Sequence, residues 1–588
     1  MSDHPLRGIL TIVLLALVVY APLRRSDFLW DDALWLQNSP VTQASDGWAR
    51  AFVGADRFDY YPLTSLAFWA EWRLFGESPL GYHAVNVALH VLGALLLWRL
   101  LRRLQVPGAF VVAALFAVHP VAVGSVAWIA ELKNTLSFVF LVGALIAWSR
   151  SGEEGGAWYG AALGLFVAAL LAKASAVVFP AIALALDFLQ RGRLTRRDFA
   201  RVVPFVALAF GSALLAVRLQ AGSVIGNQPL PAESFLERLG IAWQAVLLYA
   251  RKALVPYPLP IVYPQWDSPT VRVALAGTAI GLGVLASLAW LARRGRRGPL
   301  VAALVAVVAL APTLGLVPMY YTLYARVADH WAYLALPAFL ALLVGAVATW
   351  TRSSGATPVA TGLAVLTLAG STALAHRQAE HYRSPETMWQ HVLDVDPASW
   401  VAHHQIAIIH ARRGELDVAE QHFLAAVRLR PDYALAYRNL GRQYEGTHRW
   451  EDAATQYRRA IEIYPEYVEA RLNLASALLQ TEDAAEALEA ASWVMERHPE
   501  IARAHLLVGV ARAQLDDPMG ARQALEDAVR LEPNDVLAHW TLAKILVRLG
   551  EFEAAEFEVQ AVLQLEPTHP EAPGVLAALR QALGEPGS

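Results

Sequence analysis

The chain has 588 residues, 56% of them hydrophobic and 17% charged, with a formal net charge of −3. Soluble domains run near 45–50% apolar and about 25% charged, so a single soluble globule is excluded. No cysteine is present, which excludes a disulfide scaffold, a thiolate metal site and a cysteine nucleophile. The charge is divided unevenly. Residues 376–588 hold 20 Lys+Arg against 33 Asp+Glu, and residues 1–375 hold 28 against 18. Two domains are therefore expected: a basic membrane domain over 1–375 and an acidic soluble domain over 376–588.

The N-terminus places Arg7 ahead of an apolar run from Ile9, with no small-x-small cleavage site after it. It reads as an uncleaved signal anchor. A helix needs about 20 apolar residues to cross a ~30 Å hydrocarbon core. Apolar runs near 6–23, 83–104, 108–121, 132–149, 157–172, 174–190, 199–218, 270–292, 299–317, 331–350 and 357–375 predict eleven crossings. Arginine clusters at 99–103, 191–201 and 293–297 are expected inside, because Lys and Arg are retained on the cytoplasmic side. Parity then leaves 236–255, with Glu237, Arg238, Arg251 and Lys252, as an interfacial or re-entrant helix. The loops 24–82, 219–269 and 318–330 and the C-terminal domain fall outside the cytoplasm. A bacterial inner membrane with a periplasmic C-terminal domain is the expected setting, and no nucleic-acid partner is expected.

The first outer loop contains Phe28-Leu29-Trp30-Asp31-Asp32-Ala33-Leu34-Trp35. Adjacent carboxylates at a membrane surface suit a group that deprotonates a hydroxyl or holds a cation; equally, one of them suits a helix N-cap. Tyr60-Tyr61-Pro62 leads toward a second span in which His83, Asn86 and His90 share one helix face. That stripe faces protein or a wet cavity, and either interhelical hydrogen bonds or a ligand would account for it. His119, then Glu131 and Lys133, then Lys173, then Arg326, Asp329 and His330 follow at outer loops. Lys173 interrupts the apolar stretch 157–189, where a lysine costs about 2.5–3.5 kcal/mol at a helix centre and little at an end. It is either an interfacial lysine or a phosphate clamp. Asp329 is placed to pair with Arg326 or His330.

The acidic half is periodic. Proline recurs at 397, 431, 465, 499, 533 and 567, a small residue at 407, 441, 475, 509 and 543, and alanine at 419, 453, 487, 521 and 555. A period of 34 with this pattern predicts five full tetratricopeptide repeats, preceded by a half repeat around 388–393 and followed by a capping helix. Such repeats stack into an α-solenoid whose concave face binds partners. Gln405, Asn439 and Asn473 occupy one repeat position. Their amides either form a ladder for an extended acceptor peptide or bond within the repeats.

Taken in order, Trp-Asp-Asp, Tyr-Tyr-Pro-Leu-Thr, Gly-Tyr-His-x-x-Asn-x-x-x-His, His-Pro-Val, Val-Ala-Trp-Ile-Ala-Glu, Ala-Lys-Ala-Ser-Ala-Val, Val262-Tyr263-Pro264, the segment Tyr382 to Trp389 and the 34-residue repeats resemble one family. It is the transmembrane-and-tetratricopeptide-repeat O-mannosyltransferases. The resemblance implies an all-α fold, a polytopic membrane domain of the C-type glycosyltransferases with a repeat solenoid. It implies a polyprenyl-phosphate-linked sugar as donor, and Ser or Thr of an exported protein as acceptor. Asp31 or Asp32 would be the general base, and Lys133, Lys173, Arg326 or His330 would hold the departing phosphate. Tyr61, His83, His90, His119, Glu131 and Asp329 would line the site, with Gln405, Asn439 and Asn473 on the acceptor. No tightly bound cofactor is implied, and a divalent cation, if used, would take the aspartates as ligands. Tyr61, Ala122, Gly124, Leu132, Asn134 and His330 depart from the family pattern. Two further readings stay open, a glycan- or lipid-directed transferase and a non-catalytic membrane scaffold.

Overall fold

A computed structural model describes residues 5–53, 60–222, 233–266, 270–317, 319–354 and 356–584. Residues 1–4 of the expected signal anchor, and 54–59, 223–232, 267–269 and 318 of the expected outer loops, lie outside the described residues. Among those described there are helices and no strands, as the sequence predicts. Contacts divide the chain into two units, 1–397 and 398–588.

Among the described residues of the first unit, six helices are long and apolar enough to cross a membrane: Pro79–Arg103, Ile129–Glu154, Ala174–Arg191, Arg196–Leu219, Val271–Arg293 and Pro358–Glu380. Ala109–Val118 and Pro120–Ala127, bent by 52°, form a seventh if taken as one broken span. Of the eleven expected crossings, length and composition thus support six, or seven with the broken span, and the remaining four are not confirmed. The other four stretches form shorter apolar helices: Pro5–Val19, Gly156–Ala172, Gly298–Thr313 and Leu336–Thr351. At 1.5 Å per residue, the 15 residues of Pro5–Val19 reach about 23 Å, short of a ~30 Å core. Helix Phe235–Leu254 is not among the spans. It opens on a Ser234–Glu237 capping box and buries Ile241, Ala245 and Tyr249 while exposing Phe235, Leu247 and Leu254.

Aromatic side chains knit the helices together. Phe179 stacks on Phe166 at 4.9 Å and on Phe205 at 5.0 Å, and Trp148 meets Phe205 edge-on at 5.4 Å. Phe179 is completely buried.

The second unit is a run of helical hairpins from Trp400–Arg412 with Leu416–Leu429 to Val536–Leu549 with Phe552–Leu565, closed by Ala572–Ala582. The repeated small residues sit where the paired helices meet. A Cβ at Gly441 would fall 2.6 Å from the Tyr457 ring, and one at Gly509 would fall 2.5 Å from Leu525. Ala419, Ala453, Ala487, Ala521 and Ala555 are all fully buried. Helix Pro385–Val395, the half repeat of the sequence pattern, groups with the first unit.

Candidate functional site

The acidic loop begins where helix Pro5–Val19 ends and a 3-10 turn, Ala21–Arg25, redirects the chain. The Asp27 N–H donates to the Arg383 carbonyl at 2.9 Å. Beyond Trp30 the two aspartates part company. Asp32 is fully buried, and its carboxylate accepts from two backbone N–H groups, Leu29 at 2.7 Å and Ala130 at 2.7 Å. The second bond joins the loop to the 129–131 turn, so Asp32 is a tether. Asp31 is half-buried, and its Oδ1 is enclosed without a hydrogen-bond partner among the described residues. Burial pushes the Asp31 carboxyl up to about 6, against the opposing pull of Lys133. Burial likewise raises Asp32, with the two backbone donors pulling down.

The 129–131 turn delivers Glu131, and two ammonium groups converge on it. Lys133 Nζ lies 3.0 Å from one oxygen and Lys173 Nζ lies 3.5 Å from the other. Lys133 also stands 5.6 Å over the Trp35 ring. Lys173 occupies the break between helix Gly156–Ala172 and the 3-10 turn Ala174–Val178, a helix end, where its charge is cheap. The Thr64 hydroxyl, donating to the Ala172 carbonyl at 2.9 Å, fixes that break. Asn134 is the hub: it accepts from Lys173 at 2.7 Å and donates to Glu131, to Ser125 Oγ at 3.1 Å and to the His330 carbonyl at 3.2 Å. Two cations thus share one buried carboxylate beside Asp31, and that is an environment for an incoming anion.

The structure therefore brings Asp31, Asp32, Glu131, Lys133, Lys173 and His330 together. His330 enters this cluster through its backbone carbonyl, which accepts from Asn134 at 3.2 Å. Burial drives its imidazole down to about 4, so it is neutral at pH 7 and packs edge-on against Trp128 at 5.7 Å. Arg326 forms its ion pair with Glu233, and Asp329 accepts from the Tyr263 hydroxyl at 2.6 Å. The expected pairing of Asp329 with either cation is thereby replaced. His90 bonds to the Tyr333 hydroxyl at 2.8 Å and the Ala117 carbonyl at 3.1 Å, and Asn86 donates to the Trp128 carbonyl at 3.3 Å. His119 bonds to the Ala253 carbonyl and accepts from the Val121 N–H, both at 3.3 Å. These groups tie helices together. His83 is buried, and both of its ring nitrogens lack partners among the described residues.

Tyr61 precedes helix Pro62–Phe75 and, with Tyr60, Leu170, Leu171, Leu208 and Leu215, lines an apolar cavity of about 220 Å³ that also includes Ala174, next in chain to Lys173. Sequence reasoning named Asn134 as a departure from the family pattern and Trp128 and Tyr382 as motif members, and assigned none of them to the site. Tyr382 explains one departure, since a Cβ on Gly124 would lie 3.0 Å from its hydroxyl. In the solenoid, the Asn439 amide donates to His404 at 2.9 Å and accepts from Arg438 at 3.3 Å. Asn473 is buried and Gln405 half-buried.

Among the described residues, no group of three or more His, Asp or Glu side chains is arranged to hold a metal ion.

Fold and site together define a polytopic membrane protein with an acid-and-lysine loop cluster and a helical-repeat domain. Family models described as tetratricopeptide repeat match residues 399–466, 446–510 and 512–579. Over 221 residues the chain is 29% identical to protein O-mannosyl-transferase F38B6.6 of Caenorhabditis elegans, covering 35% of this chain and 31% of that one. It is 24% identical to human protein O-mannosyl-transferase TMTC1 over 494 residues, 72% of this chain and 55% of that one. It is 31% identical to protein O-mannosyl-transferase Tmtc1 of Drosophila melanogaster over 191 residues, 30% and 22% of the two chains. The chain is thus similar to the transmembrane-and-tetratricopeptide-repeat O-mannosyl-transferases, and its alignments span about half or less of those curated relatives.

Proposed function

We propose that the chain is a membrane glycosyltransferase that moves one sugar, mannose by the names of its relatives, from a polyprenyl-phosphate carrier to a Ser or Thr hydroxyl of an exported protein. The observation that carries this reading is the pairing of one carboxylate oxygen lacking a partner, on Asp31, with two lysines converging on Glu131. In this mechanism Asp31 accepts the hydroxyl proton as the oxygen forms its bond to the anomeric carbon. The bond from that carbon to the phosphate oxygen breaks on the opposite side, inverting the centre. The polyprenyl phosphate leaves with its charge on Lys133 and Lys173, and a phosphate needs no added proton to depart. The apolar cavity beside Lys173 supports a prenyl chain entering next to its own phosphate.

The acceptor is presented by the repeat domain. Asn439 is engaged within the repeats, so the peptide contact draws on the concave face beyond the amide ladder. In this reading the four shorter apolar helices cross as well, which makes eleven crossings and puts the acidic loop and the solenoid on the periplasmic side of a bacterial inner membrane. The test is transfer by the full chain in detergent, from a mixed polyprenyl-phosphate-sugar pool to exported proteins. The parent transfers sugar. Lys133→Met and Lys173→Met raise the donor KM at least ~10-fold through loss of charge-assisted bonds to phosphate. A parent that binds the lipid donor but transfers nothing to any acceptor contradicts the reading.

A further inference from the structure

Trp30 is the strained residue of the acidic loop. Its φ of +30° lies on the left-handed side, where a bulky side chain costs about 1–2 kcal/mol. Such a conformation persists only where surrounding packing over-determines it. Three rings enclose Trp30. Trp128 stacks on it at 5.5 Å with the planes 8° apart, Tyr324 meets it edge-on at 5.7 Å, and Trp389 meets it edge-on at 5.0 Å and 73°. Trp128 adjoins the turn that carries Glu131, and Tyr324 stands in the loop that leads to His330. Trp389 comes from helix Pro385–Val395, which the mechanism above does not use.

That helix is built to hold still. Ser384 and Thr387 cap its start reciprocally, at 3.2 and 3.1 Å. Met388, Trp389 and Val392 face inward, with Trp389 only 1% exposed. Its lead-in grips the acidic loop a second time through the Arg383 carbonyl and the Asp27 N–H. Trp30 and Asp31 are consecutive, so whatever fixes the backbone of Trp30 fixes the direction of the Asp31 carboxylate. Asp32 stays tied to Leu29 and Ala130 whether or not Trp30 is caged.

We propose that Trp389 is a positioning residue that aims Asp31 by closing the aromatic cage around Trp30. The inference rests on the reading of Asp31 as the base. Loss of the ring releases Trp30 from its left-handed conformation and misdirects Asp31, while the loop stays anchored and the donor still meets its lysines. The defect therefore falls on kcat and not on donor KM, because a misplacement of about 1 Å costs on the order of 10²-fold in rate.

The experiment compares the full-length parent with Trp389→Ala, Trp389→Leu and Trp389→Phe in detergent, by hydrogen exchange and by transfer kinetics. Expected is at least 10-fold faster exchange of the amides of residues 27–31 in the Ala and Leu variants, with helices 400–565 exchanging as in the parent. Their kcat falls ~10- to 100-fold with donor KM unchanged, and the Phe variant recovers most of both. Parent-like exchange in Trp389→Leu overturns the proposal, as does a change in donor KM alone. If Trp389→Ala loses protection along the whole chain, the comparison of Leu with Phe decides. A parent without transfer refutes the proposed function and not this inference, because the exchange comparison still shows whether Trp389 holds the loop.

Discussion

Asp31 and Asp32 are adjacent and chemically identical, yet they sit in opposite situations, and the division between them sets the chemistry. Asp32 satisfies two buried N–H groups. Asp32→Asn turns an NH₂ toward one of them and leaves a buried donor unpaired, at a cost of about 1–3 kcal/mol. We expect a lower melting temperature for Asp32→Asn in detergent, and none of that loss for Asp31→Asn. The pH dependence of Asp31 has a definite sign. Its folded carboxyl is raised to about 6, above the unfolded value, so its contribution to stability is present at low pH and lost as pH rises through 6. Asp31→Asn is accordingly the more stable chain above pH 6. As the base, Asp31 works ionised, so parent transfer climbs about tenfold per pH unit up to about 6 and then levels. The pair was legible in the sequence. Its division of labour was not, because it depends on which carboxylate meets the Ala130 amide 98 residues away.

At the scale of elements, the repeats were the most legible part, since a 34-residue period fixes where each hairpin turns and which positions must be small. The close approaches at Gly441 and Gly509 give that reading a test. A side chain at Gly509 must displace Leu525, and overpacking of this kind costs typically 1–3 kcal/mol. Gly509→Leu should lower the solenoid's melting transition, followed by circular dichroism of the full chain, and leave donor binding unchanged; an unaltered transition would contradict the packing. The polar stripe of the second span was legible as a stripe and ambiguous as to role. Bonds from Asn86 to the Trp128 carbonyl and from His90 to Tyr333 and Ala117 assign it to helix packing. Asn134 was legible only as a departure from the family pattern, for its place in the site comes from Lys173 and the His330 carbonyl, which arrive from distant segments.

For the whole molecule, composition and charge asymmetry were enough to separate a membrane half from a repeat half, but not to count the crossings. Hydropathy finds apolar runs; whether 15 to 17 residues of helix cross or stop part-way depends on the local thickness of the bilayer and on neighbouring helices. The absence of cysteine makes sidedness directly measurable. In spheroplasts, Met519→Cys, 61% exposed in the solenoid, should react with an impermeant maleimide, and Arg296→Cys in the third arginine cluster should not. Equal labelling of the two, or labelling of Arg296→Cys alone, contradicts an external repeat domain and with it the presentation of exported acceptors.

The central claim is that Asp31, and not its neighbour, takes the proton. The direct measurement is the rate of sugar transfer between pH 5 and 8 for the parent, Asp31→Asn and Asp32→Asn, each shown to be folded and to bind the lipid donor. The account predicts a parent rate that rises to a plateau above about pH 6, and an Asp31→Asn rate at least ~10²-fold lower and without that rise. A parent-like rate and pH profile in Asp31→Asn, or loss of transfer in a folded Asp32→Asn alone, would contradict it.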